Sequence, residues 1–132
     1  MKIVCENKLD RKKINEMNPL VLAFLGDAIH TSFVREKIVL CHTYSAGAMH
    51  KECSKFCSAV AQSKVFDTLQ PLLLEDEQEI ATRARNAKNS HTAKNSSPAE
   101  YKKATSFEAL LGYLYLLGEE DRLNQFLEMS MR

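Results

Sequence analysis

Several features that would assign a chain to a common structural class are missing from this sequence. No segment shows the strict alternation of apolar and polar residues typical of a half-buried strand, and there is no internal repeat or long low-complexity segment. Residues 1–8 contain no long apolar core, so neither a signal peptide nor a membrane anchor is indicated. Because apolar residues recur instead at helical spacing, the sequence predicts an all-α fold.

An excess of charge of one sign is also missing, since 18 Lys and Arg residues balance 17 Asp and Glu residues at a net charge of +1. The balance conceals a segregation along the chain. Residues 75–79 form an acidic block, whereas residues 83–103 contain six basic residues and one acid. The net charge therefore gives no information about nucleic acid, but the local pattern favours a nucleic-acid contact.

The length of 132 residues predicts one domain with a single core, at residues 18–132, preceded by a polar arm at residues 1–17. Four cysteines without a secretory signal favour reduced thiols in the cytoplasm. His50, Cys53 and Cys57 could share one helical face. Because zinc sites usually need a fourth ligand and none is evident, we interpret Cys53 and Cys57 as small core residues.

Capping residues and prolines mark the ends of the predicted helices. Asn18 and Pro19 are suited to start a long first helix that reaches about Leu40. Ser97-Pro98-Ala99-Glu100 forms a capping box, and the helix that it opens is expected to stop at Gly118. Further helices are predicted over residues 45–70, interrupted once or divided in two and ended by Pro71, over residues 75–88, and after Gly118.

A carboxylate lies in the apolar part of the first predicted helix. Most residues three or four positions from Asp27 are apolar, so this acid sits within a core-facing stripe. An ionised carboxylate on such a face is costly unless a cation, hydrogen bonds or a pKa shift compensates it. Gly26 is unfavourable in the middle of a helix and is usually kept where another backbone comes close.

The helix that begins at Pro98 repeats this pattern. Glu108 lies among apolar residues, and Ala104 and Gly112 lie four positions before and after it on the same face. If the two small-residue faces cross, Asp27 and Glu108 can converge on one cation, and such oxygen ligands suit Mg²⁺ or Mn²⁺. The alternative is that each acid lies at a helix edge and bonds to a hydroxyl group or a basic side chain.

The sequence resembles the ribonuclease III catalytic domain, and more closely the short form called Mini-ribonuclease III. The resemblance spans most of residues 19–127. It is carried by Leu-Ala-Phe-Leu-Gly-Asp-Ala-Ile at 22–29, His-Lys at 50–51, Arg-Ala-Arg-Asn-Ala-Lys at 83–88 and Ala-Thr-Ser-Phe-Glu-Ala-Leu-Leu-Gly-Tyr-Leu-Tyr at 104–115. As in the Mini form, no double-stranded-RNA-binding domain is expected after these motifs.

The resemblance implies an all-helical homodimer that cuts double-stranded RNA with Mg²⁺, or with Mn²⁺, and leaves 5′-phosphate and 3′-hydroxyl ends. Asp27 and Glu108 would be its catalytic acids and metal ligands. The family substrate is precursor 23S ribosomal RNA, so a ribosomal protein or a ribosomal particle is a further candidate partner. Full-length ribonuclease III has additional acids where this chain has Leu20, Ala23 and Thr105. These losses favour one metal held by few ligands.

Two smaller departures from the Mini form are Ala84, where Gly is usual, and His30, where an aromatic residue is usual. We expect neither to affect the core chemistry. Without a separate RNA-binding domain, the catalytic domain must hold the duplex through phosphate contacts. The candidate RNA-binding residues are polar and mostly basic: His50, Lys51, Lys55, Arg83, Arg85, Asn86, Lys88 and Lys94.

Two other functional classes remain as alternatives. One is a non-catalytic, dimeric helical RNA-binding module, and the other is a purely structural interaction protein. Retention of both Asp27 and Glu108 argues against a module that only binds RNA, because such a module would be more stable with neutral residues there. The basic cluster argues against a purely structural role.

Overall fold

The computed structural model of the chain describes residues 1–3, 9–41, 45–88 and 95–132. Within these ranges there is no strand, and no helix is long and apolar enough to cross a membrane. The all-α prediction is confirmed. The helices are α1 (Arg11–Asn15), α2 (Pro19–Cys41), α3 (Ala46–Cys57), α4 (Ala59–Leu69), α5 (Glu75–Asn86), α6 (Pro98–Leu117) and α7 (Glu120–Met129), with a 3₁₀ turn at Gln70–Leu72.

The predicted helix ends agree with the capping interactions in the structure. The Asn18 side chain accepts a hydrogen bond from the backbone N–H of Leu20 at 2.9 Å, in the first turn of α2. At the start of α6, the Ser97 hydroxyl accepts from the Glu100 N–H, and the Glu100 carboxylate accepts from the Ser97 N–H. Gly118 ends α6 with φ 77°, a left-handed conformation that glycine adopts without steric cost.

Helix α6 is the central element of the fold. It packs against α1, α2, α4, α5 and α7, and its side chains are buried around most of its circumference. This explains why α6 has no clear polar face in sequence, since a helix that is apolar all round is a buried helix. Phe107, Leu110 and Leu111 are fully buried at its centre. The core therefore forms around α6, and α2 lies directly against it.

Helices α2 and α6 are in contact backbone to backbone. A Cβ atom added to Gly26 would lie 1.7 Å from the carbonyl oxygen of Glu108. A Cβ atom added to Gly112 would lie 2.1 Å from the carbonyl oxygen of Leu22. No side chain fits in either gap, so the two glycines fix the distance between the helices. The predicted close packing of the two small-residue faces is confirmed.

The described part of the N-terminal segment packs on the same core. Ile14 in α1 is 1% exposed. The Arg83 guanidinium donates hydrogen bonds to the backbone carbonyl oxygens of Asn15 and Met17 and so attaches this segment to α5. The division into an arm at 1–17 and a catalytic domain at 18–132 stays a prediction.

Candidate active site

Asp27 and Glu108 face one another in a cleft between α2 and α6. The helix crossing brings the backbone of Glu108 against Gly26, the residue next to Asp27, so the two acids meet at the same level. The two carboxyl groups are close enough for Asp27 to raise the pKa of Glu108. Asp27 is exposed and Glu108 is half-buried. The cleft is lined by Leu20, Ala23, Phe24 and Asp27 of α2 and by Tyr101, Thr105 and Glu108 of α6.

The pair has the electrostatics of two carboxyl groups competing for one proton. Burial raises the pKa of Glu108 to about 8, the Asp27 carboxylate adds to the rise, and a hydrogen bond from Gln62 partly offsets it. Near neutral pH Glu108 is therefore protonated and donates to Asp27. Across the described residues, no lysine, arginine or histidine forms a salt bridge with either acid. The described part of the chain thus provides no cation to this cleft.

This donor set fits a hard divalent cation better than a transition metal. The described parts of the chain hold no group of three His, Cys, Asp or Glu side chains around one point. Zinc sites need three or four such ligands, whereas Mg²⁺ keeps several waters and takes one or two carboxylates. Leu20, Ala23 and Thr105 line the same cleft but supply no carboxylate. The cleft can therefore hold a cation through two protein carboxylates.

His30 and Gln62 form a buried polar pair that could not be recognised from the sequence. His30 is fully buried, and its ring meets the ring of Phe107 edge-on at 5.0 Å between centroids. Its Nδ1 atom is 3.0 Å from Nε2 of Gln62 on α4, while its Nε2 atom has no hydrogen-bond partner among the residues that the structure describes. Burial lowers the pKa of His30 to about 4, although Asp27 acts in the opposite direction. The only signal in the sequence was a polar residue, Gln62, on the apolar stripe of α4.

Comparison with known proteins identifies the family. The ribonuclease III domain model matches residues 20–119, which include both carboxylates and both contact glycines. The chain belongs to the ribonuclease III family. It is 42% identical to Mini-ribonuclease 3 of a Thermoanaerobacter species over 124 residues, covering 94% of this chain and 87% of the relative. It is 43% identical to Mini-ribonuclease 3 of Brevibacillus brevis over 116 residues, covering 88% of this chain and 87% of that relative.

The ribonuclease III fold also has a structural counterpart. A crystal structure of a protein from Fusobacterium nucleatum aligns with a TM-score of 0.79 at 31% sequence identity, covering 88% of this chain and 93% of the other. The resemblance to the Mini form and the helical fold that it implied are thus confirmed. Membership of the ribonuclease III family supports a ribonuclease activity for this chain.

The candidate RNA-binding residues occupy different environments. His50 and Lys51 are exposed on α3, with Lys55 one turn further on, where its Nζ atom lies 2.8 Å from Oε2 of Glu52. Arg83 differs from the others because its half-buried guanidinium already donates to two backbone carbonyls. Arg85, Asn86 and Lys88 are exposed at the end of α5 and directly after it, and Lys94 lies outside the described residues.

The acidic block contains a second buried acid that the sequence did not reveal. Glu77 is 1% exposed, and its two carboxylate oxygens accept from Nε and Nη2 of Arg122 at 3.0 and 2.8 Å. Its Oε1 atom also accepts from the N–H of Leu74 at the start of α5. The bonds to Glu77 raise the pKa of Arg122. This acid is fully paired within the chain.

The two cysteines of α3 belong to the core. Cys53 is 7% exposed, Cys57 packs against the core, and their sulfur atoms are 3.8 Å apart. Burial raises the pKa of the Cys57 thiol to about 12, so it is not a reactive thiolate. The interpretation of Cys53 and Cys57 as small core residues is confirmed.

Proposed function

We propose that this protein is an endoribonuclease that cleaves double-stranded RNA with a divalent metal ion, leaving 5′-phosphate and 3′-hydroxyl ends. Asp27 and Glu108 are its proposed metal ligands and catalytic residues. The observation that carries the proposal is a pair of carboxyl groups that line one open cleft, without a salt bridge from the described part of the chain. Family membership directs this chemistry to RNA. Mg²⁺ is the proposed metal, and Mn²⁺ fits the same ligands.

The carboxylates and the cleft walls have separate tasks in this mechanism. When bound, the divalent cation supplies charge neutralisation at the reacting phosphodiester and lowers the pKa of water. Asp27 and Glu108 would hold the cation once Glu108 has released its proton to solvent, since only the ionised carboxylate is a good ligand. Asp27 is the more exposed of the two and faces the open side of the cleft. Leu20 and Ala23 line the cleft beside the carboxylates and supply no ligand of their own.

The decisive experiment compares the wild type with Asp27→Asn on a labelled RNA duplex in Mg²⁺. We expect the wild type to cleave the duplex, to leave the single strands intact and to stop in excess chelator, whereas Asp27→Asn does not cleave. Equal cleavage rates would sink the metal-carboxylate assignment. A non-catalytic RNA-binding module, the alternative function, would bind the duplex without cleaving it at any metal concentration. A second duplex that reproduces the ends of precursor 23S ribosomal RNA tests the proposed cellular substrate and its ribosomal context.

A homodimer is part of this proposal, because each subunit then cuts one strand of the duplex and leaves staggered ends. Helix α2 supports it with exposed apolar side chains next to Asp27. Phe24 is 84% exposed and Val21 is 52% exposed. Exposed aromatic residues of this kind are enriched at protein interfaces. Sedimentation velocity should report a dimer for the wild type and a monomer for Phe24→Lys. If both proteins sediment as monomers, the homodimer proposal is wrong.

The duplex is proposed to bind through the exposed basic residues of α3 and α5, and Arg85 and Lys88 form the sharpest test. Phosphate contacts make the affinity for RNA depend on salt. The slope of the logarithm of the affinity against the logarithm of the salt concentration changes by up to about one for each lost contact. Arg85→Ala with Lys88→Ala should weaken RNA binding in chelator and flatten this slope. Lys12→Ala with Lys13→Ala removes the same charge from α1 and should change neither. Arg83 is kept intact because it holds the N-terminal segment.

A further inference from the structure

Tyr101 lies in the same cleft as the two carboxylates and has no task in the mechanism proposed above. It is on α6, seven positions before Glu108, so the two residues share one face of the helix and are about 10 Å apart along its axis. Both line the cleft, and the Tyr101 side chain is half-buried. The tyrosine is therefore two helical turns away from the position proposed for the cation.

The described wall of the cleft offers few groups that can donate a hydrogen bond to a substrate. Three of its side chains carry no polar atom: Leu20, Ala23 and Phe24. The carboxylates of Asp27 and Glu108 are assigned to the cation. The Thr105 hydroxyl donates to the backbone carbonyl oxygen of Tyr101 at 3.0 Å, so its hydrogen is directed at the helix backbone. Among the described lining residues, Tyr101 is thus the one whose side chain adds a neutral donor and an aromatic face to the cleft.

The chemistry of this wall suits a ribose hydroxyl better than a phosphate group. A phosphate beside Tyr101 would have no cationic partner, because no lysine or arginine is found among the described residues that line the cleft. A phenol hydroxyl both donates and accepts hydrogen bonds. The ribose 2′-hydroxyl does the same, it is displayed in the shallow minor groove of duplex RNA, and it is the group that distinguishes RNA from DNA.

We propose that Tyr101 is a specificity-determining residue whose hydroxyl hydrogen-bonds to a ribose 2′-hydroxyl close to the scissile phosphate. The inference rests on the proposed function, because it takes the cation between Asp27 and Glu108 as the position of that phosphate. Successive nucleotides of a duplex strand are about 3.4 Å apart along its axis, so a separation of about 10 Å corresponds to about three nucleotides. The contacted ribose is therefore expected within about three nucleotides of the scissile bond.

A cycle that combines Tyr101→Phe with 2′-deoxy substitution in the RNA is the direct test. Phe keeps the aromatic ring and removes only the hydroxyl group. The substrate is a duplex with one mapped cleavage site, and a single 2′-deoxynucleotide is introduced in turn at each position within about three nucleotides of that site. At one position the substitution should lower kcat/KM of the wild type by about 3- to 10-fold, the effect of one lost hydrogen bond. It should have no further effect on Tyr101→Phe.

Tyr115→Phe is the matched control for this cycle. Tyr115 is half-buried on the same helix and is not one of the residues that line the cleft. This variant should respond to every deoxy substitution as the wild type does. Equal losses in Tyr101→Phe and in the wild type at every position would overturn the proposal. A Tyr101→Phe defect of the same size on every duplex would also overturn it, because the hydroxyl would then not be coupled to any 2′-hydroxyl.

Fluorine NMR of the metal-free protein tests the contact without relying on cleavage. Protein labelled with 3-fluorotyrosine contains four fluorinated tyrosines, and the signal of Tyr101 is identified by its loss in Tyr101→Phe. At saturation, an RNA duplex should shift this signal more than a DNA duplex of the same sequence does, and the signal of Tyr115 should not differ between the two. Identical shifts of the Tyr101 signal with RNA and with DNA would overturn the proposal. If Asp27→Asn cleaves like the wild type while the Tyr101 signal distinguishes RNA from DNA, the proposed metal site fails and the ribose contact stands.

Discussion

Two acids in this protein are largely removed from water, and they differ in what surrounds them. Glu77 is 1% exposed, yet both of its oxygens accept hydrogen bonds from Arg122, and one also accepts from the Leu74 N–H. Glu108 is less buried, yet its nearest charged neighbour is another acid, Asp27. Burial of an acid is therefore not in itself a sign of function here.

The two acids differ in whether the protein supplies a positively charged partner for the carboxylate. Glu77 has a counter-charge from its own chain, so its removal leaves Arg122 unpaired and should affect folding. Glu108 shares its cleft with a like charge, Asp27, and has no salt bridge to any basic side chain that the structure describes. A group of this kind is stabilised by an external cation, and perturbed carboxyl pairs in clefts are typical of functional sites.

Glu108→Gln should abolish function and leave folding intact. Because Glu108 is protonated near neutral pH without a cation, an amide keeps its shape and its donor to Asp27. We expect a loss of cleavage rate of at least about 10²–10³-fold, as for other groups that stabilise a charged transition state. The free energy of unfolding in chelator should not fall, and at neutral pH it should rise, because the variant no longer has to take up a proton at this position on folding. Unfolding in urea, measured alongside cleavage, checks both halves, and a large loss of stability would contradict the contrast.

Gly26→Ala should damage both folding and the site. The added Cβ atom would overlap the Glu108 carbonyl oxygen, a backbone atom that cannot turn aside, so the helices must separate. We expect the free energy of unfolding to fall by about 3 kcal/mol, at the upper end of the range for overpacked cores. Cleavage of RNA should be lost as well. Gly47→Ala is the matched control in α3, where a Cβ atom meets no atom of the described residues within 4 Å, and it should stabilise the protein by about 0.5–1 kcal/mol. Equal stability of the two variants would contradict the backbone contact.

Glu77→Gln should have the reverse effect of Glu108→Gln. It leaves the Arg122 guanidinium without its counter-charge, and breaking such a pair costs about 3 kcal/mol, near the low end of the range because Arg122 remains partly in contact with water. Variant protein that is folded at low temperature should still cleave duplex RNA at a rate close to wild type. Thermal unfolding and a cleavage assay at the same temperature distinguish this result from a direct role in catalysis.

Acidification should destabilise the protein, because His30 is buried in its neutral form. Burial lowers the pKa of His30 from 6.5 to about 4, so the unfolded chain binds a proton that the folded chain does not. The resulting stability is present above pH 6.5 and is lost as the pH falls towards 4. Between pH 6.5 and 5 in chelator, the free energy of unfolding of His30→Phe should therefore fall by about 2 kcal/mol less than that of the wild type. Glu108 contributes in the opposite direction, since its raised pKa makes its contribution decline as the pH rises towards 8, and it does so equally in both proteins. If the free energies of unfolding of the two proteins fell by the same amount over this pH range, that result would contradict the burial of a neutral imidazole.

Much of the scaffold could be predicted from local chemistry. The start of α2 and both ends of α6 follow from short-range capping by Asn18, Ser97 and Gly118, which depends on neighbouring residues alone. The approach of Asp27 to Glu108 could also be inferred, since each acid lies beside a glycine that would be costly without a close helix contact. In both cases an unfavourable residue had one simple structural explanation.

The polar contacts between distant elements could not be predicted in the same way. Glu77 meets Arg122 across 45 positions, and His30 meets Gln62 across 32. Such pairs depend on the rotation of each helix about its own axis, which an apolar stripe defines only to within a broad face. Arg83 shows the same limit, because its charge suggested a surface role and its side chain instead binds two backbone carbonyls.

The most direct test of the proposed site is a crystal structure with duplex RNA and Ca²⁺, a cation that takes the same oxygen ligands as Mg²⁺. We predict one Ca²⁺ ion in the α2–α6 cleft, with an oxygen of Asp27 and an oxygen of Glu108 each about 2.3–2.6 Å from it and a phosphate oxygen of the RNA as a further ligand. The hydrogen bond between Asp27 and Glu108 should then be absent. An ion bound elsewhere, with the two carboxyl groups still hydrogen-bonded to one another beneath the RNA, would contradict the account.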